Sequence, residues 1–359
     1  MCVQRIEREH RHRSAVAALA LLSDADLIDL LATGLGRASS IGGSSASLDI
    51  EGTPVFAKCV PVTDLELAAQ NRGSTANLFD LPNMYHYGVG SAGTNVWREL
   101  AAHTIVTRWA LTKQAVGFPM LHHSRLLPFR TAIAADEGRA DIESVIAYWD
   151  GSSAVGRRVE ALAASTNTLV LFLEYIPLTL GRWLSEQSEA GKLESACQLA
   201  ERQLLRTVEF MSRGGLHHFD VHLNNVLVDG QRLYVTDFGL ASSCTFDLTL
   251  VERDFLAANT THDRCLARTV LVNWIVSHLM SPRDAAHRNE IVRGLAAGDQ
   301  PGELTSSVGA LVRRHAAVAV VINDFYWKLF GESRAAPYPA ALAEDILSSH
   351  GHDDFNRRQ

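Results

Sequence analysis

The stretch GGLHHFDVHLNNVLVDGQRLYVTDFGLA, residues 214–241, puts Asp220, Asn225 and Asp237 at the ends of short apolar segments. Asp220 and Asn225 are five apart. Asn225 and Asp237 are twelve apart, with two strand-like runs, NVLVD and LYVTD, turning about Gly230-Gln231. A hairpin returns the chain to its starting level and so can bring Asn225 and Asp237 to one end. Two oxygen ligands at one end of a hairpin suit Mg²⁺, a hard cation that commonly shares its shell with phosphates. Asp220, just before the hairpin, would point into the same space. Its carboxylate could orient a hydroxyl and accept its proton as a phosphate is attacked. Outside this combination, an Asp–Asn pair near a turn is ordinary turn chemistry.

These groups need elements to position them. Residues 1–33 read as one or two amphipathic helices. The arginines before the apolar run AVAALALL are interrupted by Glu7 and Glu9, unlike a secretory leader, and the periodicity continues through Leu27, Leu30 and Leu31. A Gly/Ser-rich stretch follows. SASLDI and TPVFAKCV then read as two strands around Glu51-Gly52. TDLELAAQNR begins with a Thr cap and reads as a short helix, residues 73–95 as loop, VWRELAAHTIVTRWALTKQ as helix, and HSRLLPF as strand. Residues 141–164 read as helix broken near Gly151, TLVLFLEYI as a buried strand ended by Pro177, and nearly everything after 250 as helix. Strands first and helices later predict an α+β protein with a small sheet lobe and a large helical lobe.

The chain has 359 residues, 47% hydrophobic and 20% charged, enough for one large or two modest domains. A net charge of −7 argues against a dedicated nucleic-acid binder. Five scattered cysteines, with no CxxC pair, match no zinc template and read as free thiols in a reducing compartment. No run of about 18 apolar residues occurs, so no membrane span is expected, and the reading is cytoplasmic.

His218-Phe219-Asp220, Asn225 and the later Asp237-Phe238-Gly239 together resemble the catalytic loop and metal-binding motif of the protein kinase-like superfamily. The roles that follow are the general template of that superfamily, carried over residue by residue. The resemblance implies a bilobal fold, ATP and Mg²⁺ as cofactors, and phosphoryl transfer to an alcohol. It implies Asp220 as the group on the acceptor hydroxyl, Asn225 and Asp237 as metal ligands, and Lys58 as the phosphate-gripping lysine. Lys58 needs a helical carboxylate: Glu99, with Glu66 as the alternative. The phosphate-covering turn is placed at Gly42, Gly43, Ser44 and Ser45, whose backbone N–H groups could cradle an anion. LFLEYIP resembles the strand and hinge that hold adenine, with Leu173 at the back of the pocket and the backbone of Glu174 to Ile176 at the base edge. The expected domains are a helical extension 1–33, an N-lobe 34–176 with an insertion at 136–166, and a helical C-lobe 177–359.

The match departs from the pattern in places. Phe219 stands where an arginine is usual, which puts control by loop phosphorylation in doubt. His222 looks like the aminoglycoside and choline kinase branch, whereas Gly239-Leu240-Ala241 looks like the protein kinase branch. No Ala-Pro-Glu follows, and no proline occurs between Pro177 and Pro282. The acceptor is expected to be Ser or Thr of a protein; a small hydroxyl-bearing molecule, the alternative, would suit His222 and the missing Ala-Pro-Glu. An acidic pocket of residues such as Asp254 and Asp263 would favour the latter for a cationic substrate. A non-catalytic binding module would lack Lys58, Asp220 or Asp237; all are present. His217, His262 and His287 have no metal-like spacing and read as structural.

Overall fold

The computed structural model describes residues 2–40, 43–130, 142–304 and 307–356. The chain divides into two units, Met1–Ile176 with Thr236–Glu252, and Pro177–Val235 with Arg253–Gln359. It is a mixed protein of a small antiparallel sheet and mostly helices.

The first unit begins with helices α1 (Cys2–Leu21) and α2 (Asp24–Gly34). Strands β1 (Leu35–Ser40), β2 (Gly43–Ile50), β3 (Thr53–Val62), β4 (Leu121–Leu127) and β5 (Asn167–Glu174) form one sheet in the order β1-β2-β3-β5-β4. Glu51 and Gly52 both have positive φ, 50° and 78°, as a tight two-residue hairpin requires. Because strand side chains alternate, β3 sends Val55, Ala57 and Cys59 to one face and Phe56, Lys58 and Val60 to the other. The first face packs on Ala15, Leu19, Leu27 and Leu31 of α1 and α2. The second packs, with Leu169, Leu171 and Leu173, on Val96 and Trp97 of α4 (Val96–Leu111). Burying each such aliphatic side chain stabilises by roughly 1.5–3 kcal/mol. The sheet is therefore covered on both faces, and Lys58 lies on the α4 side.

Between β3 and α4 runs α3 (Asp64–Leu67), then a long loop with a 3₁₀ turn at Asn83–His86. Thr63 and Glu66 form a capping box at the start of α3. Between β4 and β5 lie α5 (Ile142–Tyr148) and α6 (Ser153–Ala164). They account for most of the inserted material; residues 136–141 lie outside the described residues.

The second unit contains a three-stranded sheet in which β7 (Val226–Val228) lies between β6 (Leu178–Thr179) and β8 (Leu233–Val235). Val226 pairs with Val235, the hairpin expected from sequence. Helices α7 (Leu180–Glu189) and α8 (Leu193–Arg213) precede it. α9 (Leu250–Ala258) starts in the first unit and ends in the second. α10 (His262–Met280) packs on α8 and on α12 (Ser307–Gly331), with α11 (Ala285–Ala297) and α13 (Ala340–Asn356) completing the array. Among the described residues, no helix is long and apolar enough to cross a membrane.

Two local expectations change. Leu35–Ser40, read as Gly/Ser loop, is a strand: its pairing with β2 outweighs a composition poor in β-branched residues. Gly43, Ser44 and Ser45, placed in a phosphate-covering turn, are strand residues, because Ser40 pairs with Gly43, and Ser44 and Ser45 pair with Cys59 and Lys58. Gly42, the remaining residue of that turn, lies outside the described residues.

Candidate active site

In the first unit the sheet, α4 and the segment after β8 bring three charges together. Lys58 Nζ donates to Glu99 Oε1 at 2.6 Å and to Asp237 Oδ1 at 2.7 Å. Glu99 is 4% exposed, whereas Asp237 keeps 41% of its side chain accessible. Burial pushes the Lys58 ammonium towards neutrality, but Asp237 and Glu99 outweigh it and hold its pKa above the ordinary value. Burial, with the Asp237 charge, pushes the Glu99 carboxyl above its ordinary value despite the Lys58 ammonium, and Asp237 is the accessible end of the cluster.

Each partner is fixed locally. Asn95 caps α4 by accepting from Trp97 N at 2.9 Å. Glu66 accepts from Val96 N at 2.9 Å and sits 2.9 Å from Arg158 Nη1, which fastens α6 to the start of α4. Glu66 is thus the partner of Arg158, and Glu99 is the carboxylate at Lys58. Asp237 has φ 65°, a left-handed conformation that Asp tolerates better than most residues. Gly239 follows it closely: an added Cβ would stand in ordinary van der Waals contact, 3.4 Å from Glu99 Oε2 and 3.5 Å from Asp237 Oδ1. Phe238 is fully buried, its ring edge-on to His103 with centroids 5.0 Å apart.

Leu173 is buried in β5 between Phe56 and Leu121 of its neighbours. The Glu174 N–H is taken by Met120 O at 2.8 Å, so any part for Glu174 at a base edge falls to its carbonyl. Its carboxylate instead grips Arg8 of α1, with Nε 2.7 Å and Nη2 2.6 Å from its oxygens, while Nη2 also donates to Phe118 O. Ile176 ends the first of the two chain segments that make up the first unit.

In the second unit Asn225 turns its Nδ2 to Asp220, 3.0 Å from the backbone O and 3.1 Å from Oδ2. The amide oxygen of Asn225 takes no part in these bonds. His222 Nε2 stands 3.6 Å from Asp220 Oδ2, and its Nδ1 accepts from Asn224 N. Asp263, considered from sequence as a candidate member of an acidic substrate pocket, does something else. It is 1% exposed and accepts from His218 N at 2.6 Å and Phe219 N at 2.8 Å. Asp254 is exposed, so these two residues do not make an acidic recess. Burial would push the Asp263 carboxyl up, but a hydrogen bond and charge from His262, with His217 and His218 near, bring it down to about 2. Phe219 has φ 66°, rare for a bulky residue, and lies stacked on Phe255 and against His262. Holding such a conformation costs about 1–3 kcal/mol, which the two bonds to Asp263 offset. His217 and His262 are buried and His287 begins a capped helix, which agrees with structural roles.

Sequence reasoning missed Arg8, Arg98 and Arg158, whose carboxylate partners lie on distant elements, and did not foresee that Asp263 binds the backbone before Asp220. Glu66 and Glu252 had a signal: Thr63-x-x-Glu66 and Thr249-x-x-Glu252 are both capping-box patterns.

No family model matches the chain. It is similar to the cyclin-dependent kinase 1 of Encephalitozoon cuniculi, 31% identical over 87 residues, which is 23% of this chain and 29% of that protein. The matched part thus spans under a third of the relative's length. It points to a protein kinase-like relationship without naming a subfamily.

Proposed function

We propose that the chain is an ATP- and Mg²⁺-dependent phosphotransferase of protein kinase-like type, acting on Ser or Thr of a protein. The observation that carries the reading is Lys58, which meets Glu99, 41 residues on, and Asp237, 179 residues on, in one partly buried cluster. A lysine held charged between two carboxylates suits an anion such as a phosphate, and a carboxylate with an accessible side suits a cation beside it. The partial kinase match supports the same reading.

In this reading Lys58 binds the nucleotide phosphates, and Glu99 keeps it aimed. Asp237 and Asn225 would hold Mg²⁺. Each offers hard oxygen within its own unit, and the Asn225 Nδ2 is directed at Asp220. Among the described residues, no group of three or more His, Cys, Asp or Glu could hold a metal ion by itself. Magnesium usually keeps waters and substrate phosphates and takes only one or two carboxylates, so a sparse protein set suits it. When bound, the ion would neutralise charge on the phosphates. Asp220 orients the acceptor hydroxyl and takes its proton, while Asn225, His222 and the anchored backbone of His218-Phe219 hold it in place.

The acceptor is the finer half of the proposal. Asp263 is buried and Asp254 exposed, so these two residues give no support to a cationic small-molecule substrate. The test is incubation with Mg²⁺ and γ-labelled ATP, read by intact mass and phosphopeptide mapping against Asp220→Asn. Label on Ser or Thr that the variant lacks supports a protein acceptor. Mg²⁺-dependent nucleotide binding without protein label would shift the acceptor to a small molecule.

A further inference from the structure

The helix that carries Glu99 is tied to the segment that carries Asp237 at a second buried point. Arg98, next to Glu99 on α4, is 1% exposed. Its Nε donates to Thr75 O at 2.6 Å, its Nη2 to Glu252 Oε1 at 2.7 Å, and its guanidinium carbon lies 5.9 Å from the centre of the Phe246 ring. Glu252 is 5% exposed, and its other oxygen accepts from Thr249 N and Oγ1 at 2.9 and 3.0 Å. Burial pushes the Glu252 carboxyl up, but Arg98 and the Thr249 bonds outweigh it and hold it below the ordinary range. The pair is therefore charged on both sides and closed to water.

The rest of residues 239–252 is bound along the same wall. Gly239 O accepts from Thr94 N, and Leu240 O bonds His86 Nδ1. Asp247 accepts from Thr75 N and Oγ1, its own N–H donates back to Thr75 Oγ1, and Val251 O accepts from Asn83. Several of the segment's hydroxyls are buried or hydrogen-bonded, while Thr245 and Thr249 keep exposed surface. Ser242 and Ser243 are buried, Thr245 is bonded to Ser243, and Thr249 is bonded to Glu252.

We propose that Arg98 and Glu252 are positioning residues that keep the segment after Asp237, and with it the Lys58–Glu99–Asp237 cluster, assembled without any phosphate on that segment. The inference rests on the phosphotransferase reading and concerns its regulation. A buried arginine can order a segment through an added phosphate, since phosphate brings charge and acceptor oxygens. Here a glutamate of the chain already supplies charge and acceptors to that arginine, at hydrogen-bond distance and out of water. The assembled state is then the resting state, and the protein transfers phosphate as synthesised.

The experiment compares wild type, Glu252→Gln and Glu252→Asp, each coexpressed with a phosphatase and shown by intact mass to carry no phosphate. Wild type freed of phosphate is expected to keep its turnover within about twofold of untreated protein. Glu252→Gln, which keeps shape and loses charge, should lower kcat about tenfold or more with a smaller change in acceptor KM, as loss of one charge-assisted bond acting through Glu99 implies. Glu252→Asp should recover part of that loss, and amide exchange of residues 239–252 should rise in Glu252→Gln alone. The proposal is overturned if wild type needs phosphate on this segment for activity, or if Glu252→Gln matches wild type in turnover and exchange. Absence of Asp220-dependent transfer from every wild-type sample would instead refute the phosphotransferase reading, and exchange would still report whether the pair holds the segment.

Discussion

Asp263 accepts the backbone N–H groups of both His218 and Phe219, and so holds Phe219 in a left-handed conformation directly before Asp220. A residue 43 positions along the chain thereby sets the backbone from which Asp220 projects. Replacing Asp263 by Ala leaves two buried N–H donors without an acceptor. A loss of about 3–5 kcal/mol is expected by urea unfolding, as for other buried charged partners.

The same residue gives a pH prediction. The Asp263 carboxyl is lowered from 3.8 to about 2 in the folded protein. A lowered carboxylate contributes stability above its unfolded value and loses it as pH falls through the folded value, here about 2 kcal/mol lost between roughly pH 4 and 2. Acid unfolding of Asp263→Asn, which begins less stable, should show a shallower slope in that window.

A second effect, beginning at milder acidity, involves α1. His12 Nδ1 and His122 Nδ1 are 2.8 Å apart, facing Arg8, Arg11, Arg13 and Glu174. Burial lowers both; Glu174 partly offsets it at His12, and His12 with the nearby arginines brings His122 down to about 3. A histidine lowered on folding binds fewer protons than in the unfolded chain, so stability should fall as pH drops below about 6.5 towards 3, by up to about 1.4 kcal/mol per pH unit for one group. His122→Gln should flatten thermal unfolding across that range, and an unchanged slope would sink the assignment.

Arg158 and Glu66 form a buried ion pair that joins the inserted α6 to the start of α4. Arg158→Met alone should cost about 3–5 kcal/mol, because Glu66 is left charged and buried, whereas Arg158→Met with Glu66→Gln should recover part of it. Chemical denaturation of the single and double variants separates the two terms.

What the sequence made legible follows from distance along the chain. Asp220, Asn225 and Asp237 lie within one hairpin, so spacing alone grouped them, and Lys58 was visible as a charge in an alternating strand. Period and capping residues revealed most helices, including the break at Gly151, whose φ is 79°. β1 was hidden because LGRASS has no β-branched or aromatic residue, and only pairing with β2 makes it a strand. Arg98, Arg158 and Asp263 were hidden for another reason. A buried charge is written like a surface charge in sequence, and only its distant partner distinguishes them.

Lys58 is the residue on which the functional reading turns. Replacing it by Met removes the cation between Glu99 and Asp237 and should lower any phosphate transfer about 10²–10³-fold, the usual effect of losing one preorganised electrostatic contact. Glu99→Gln, which keeps the lysine and weakens its aim, should cost less, and single-turnover transfer rates would rank the two.

The most direct measurement is calorimetric titration of ATP into wild type, Lys58→Met and Asp237→Asn, with and without Mg²⁺. Binding by wild type that strengthens with Mg²⁺ is expected, together with loss of affinity in Lys58→Met and loss of the Mg²⁺ effect in Asp237→Asn. Absence of ATP binding by folded wild type, or binding that neither substitution alters, would contradict the assignment of Lys58, Glu99 and Asp237 to a nucleotide site.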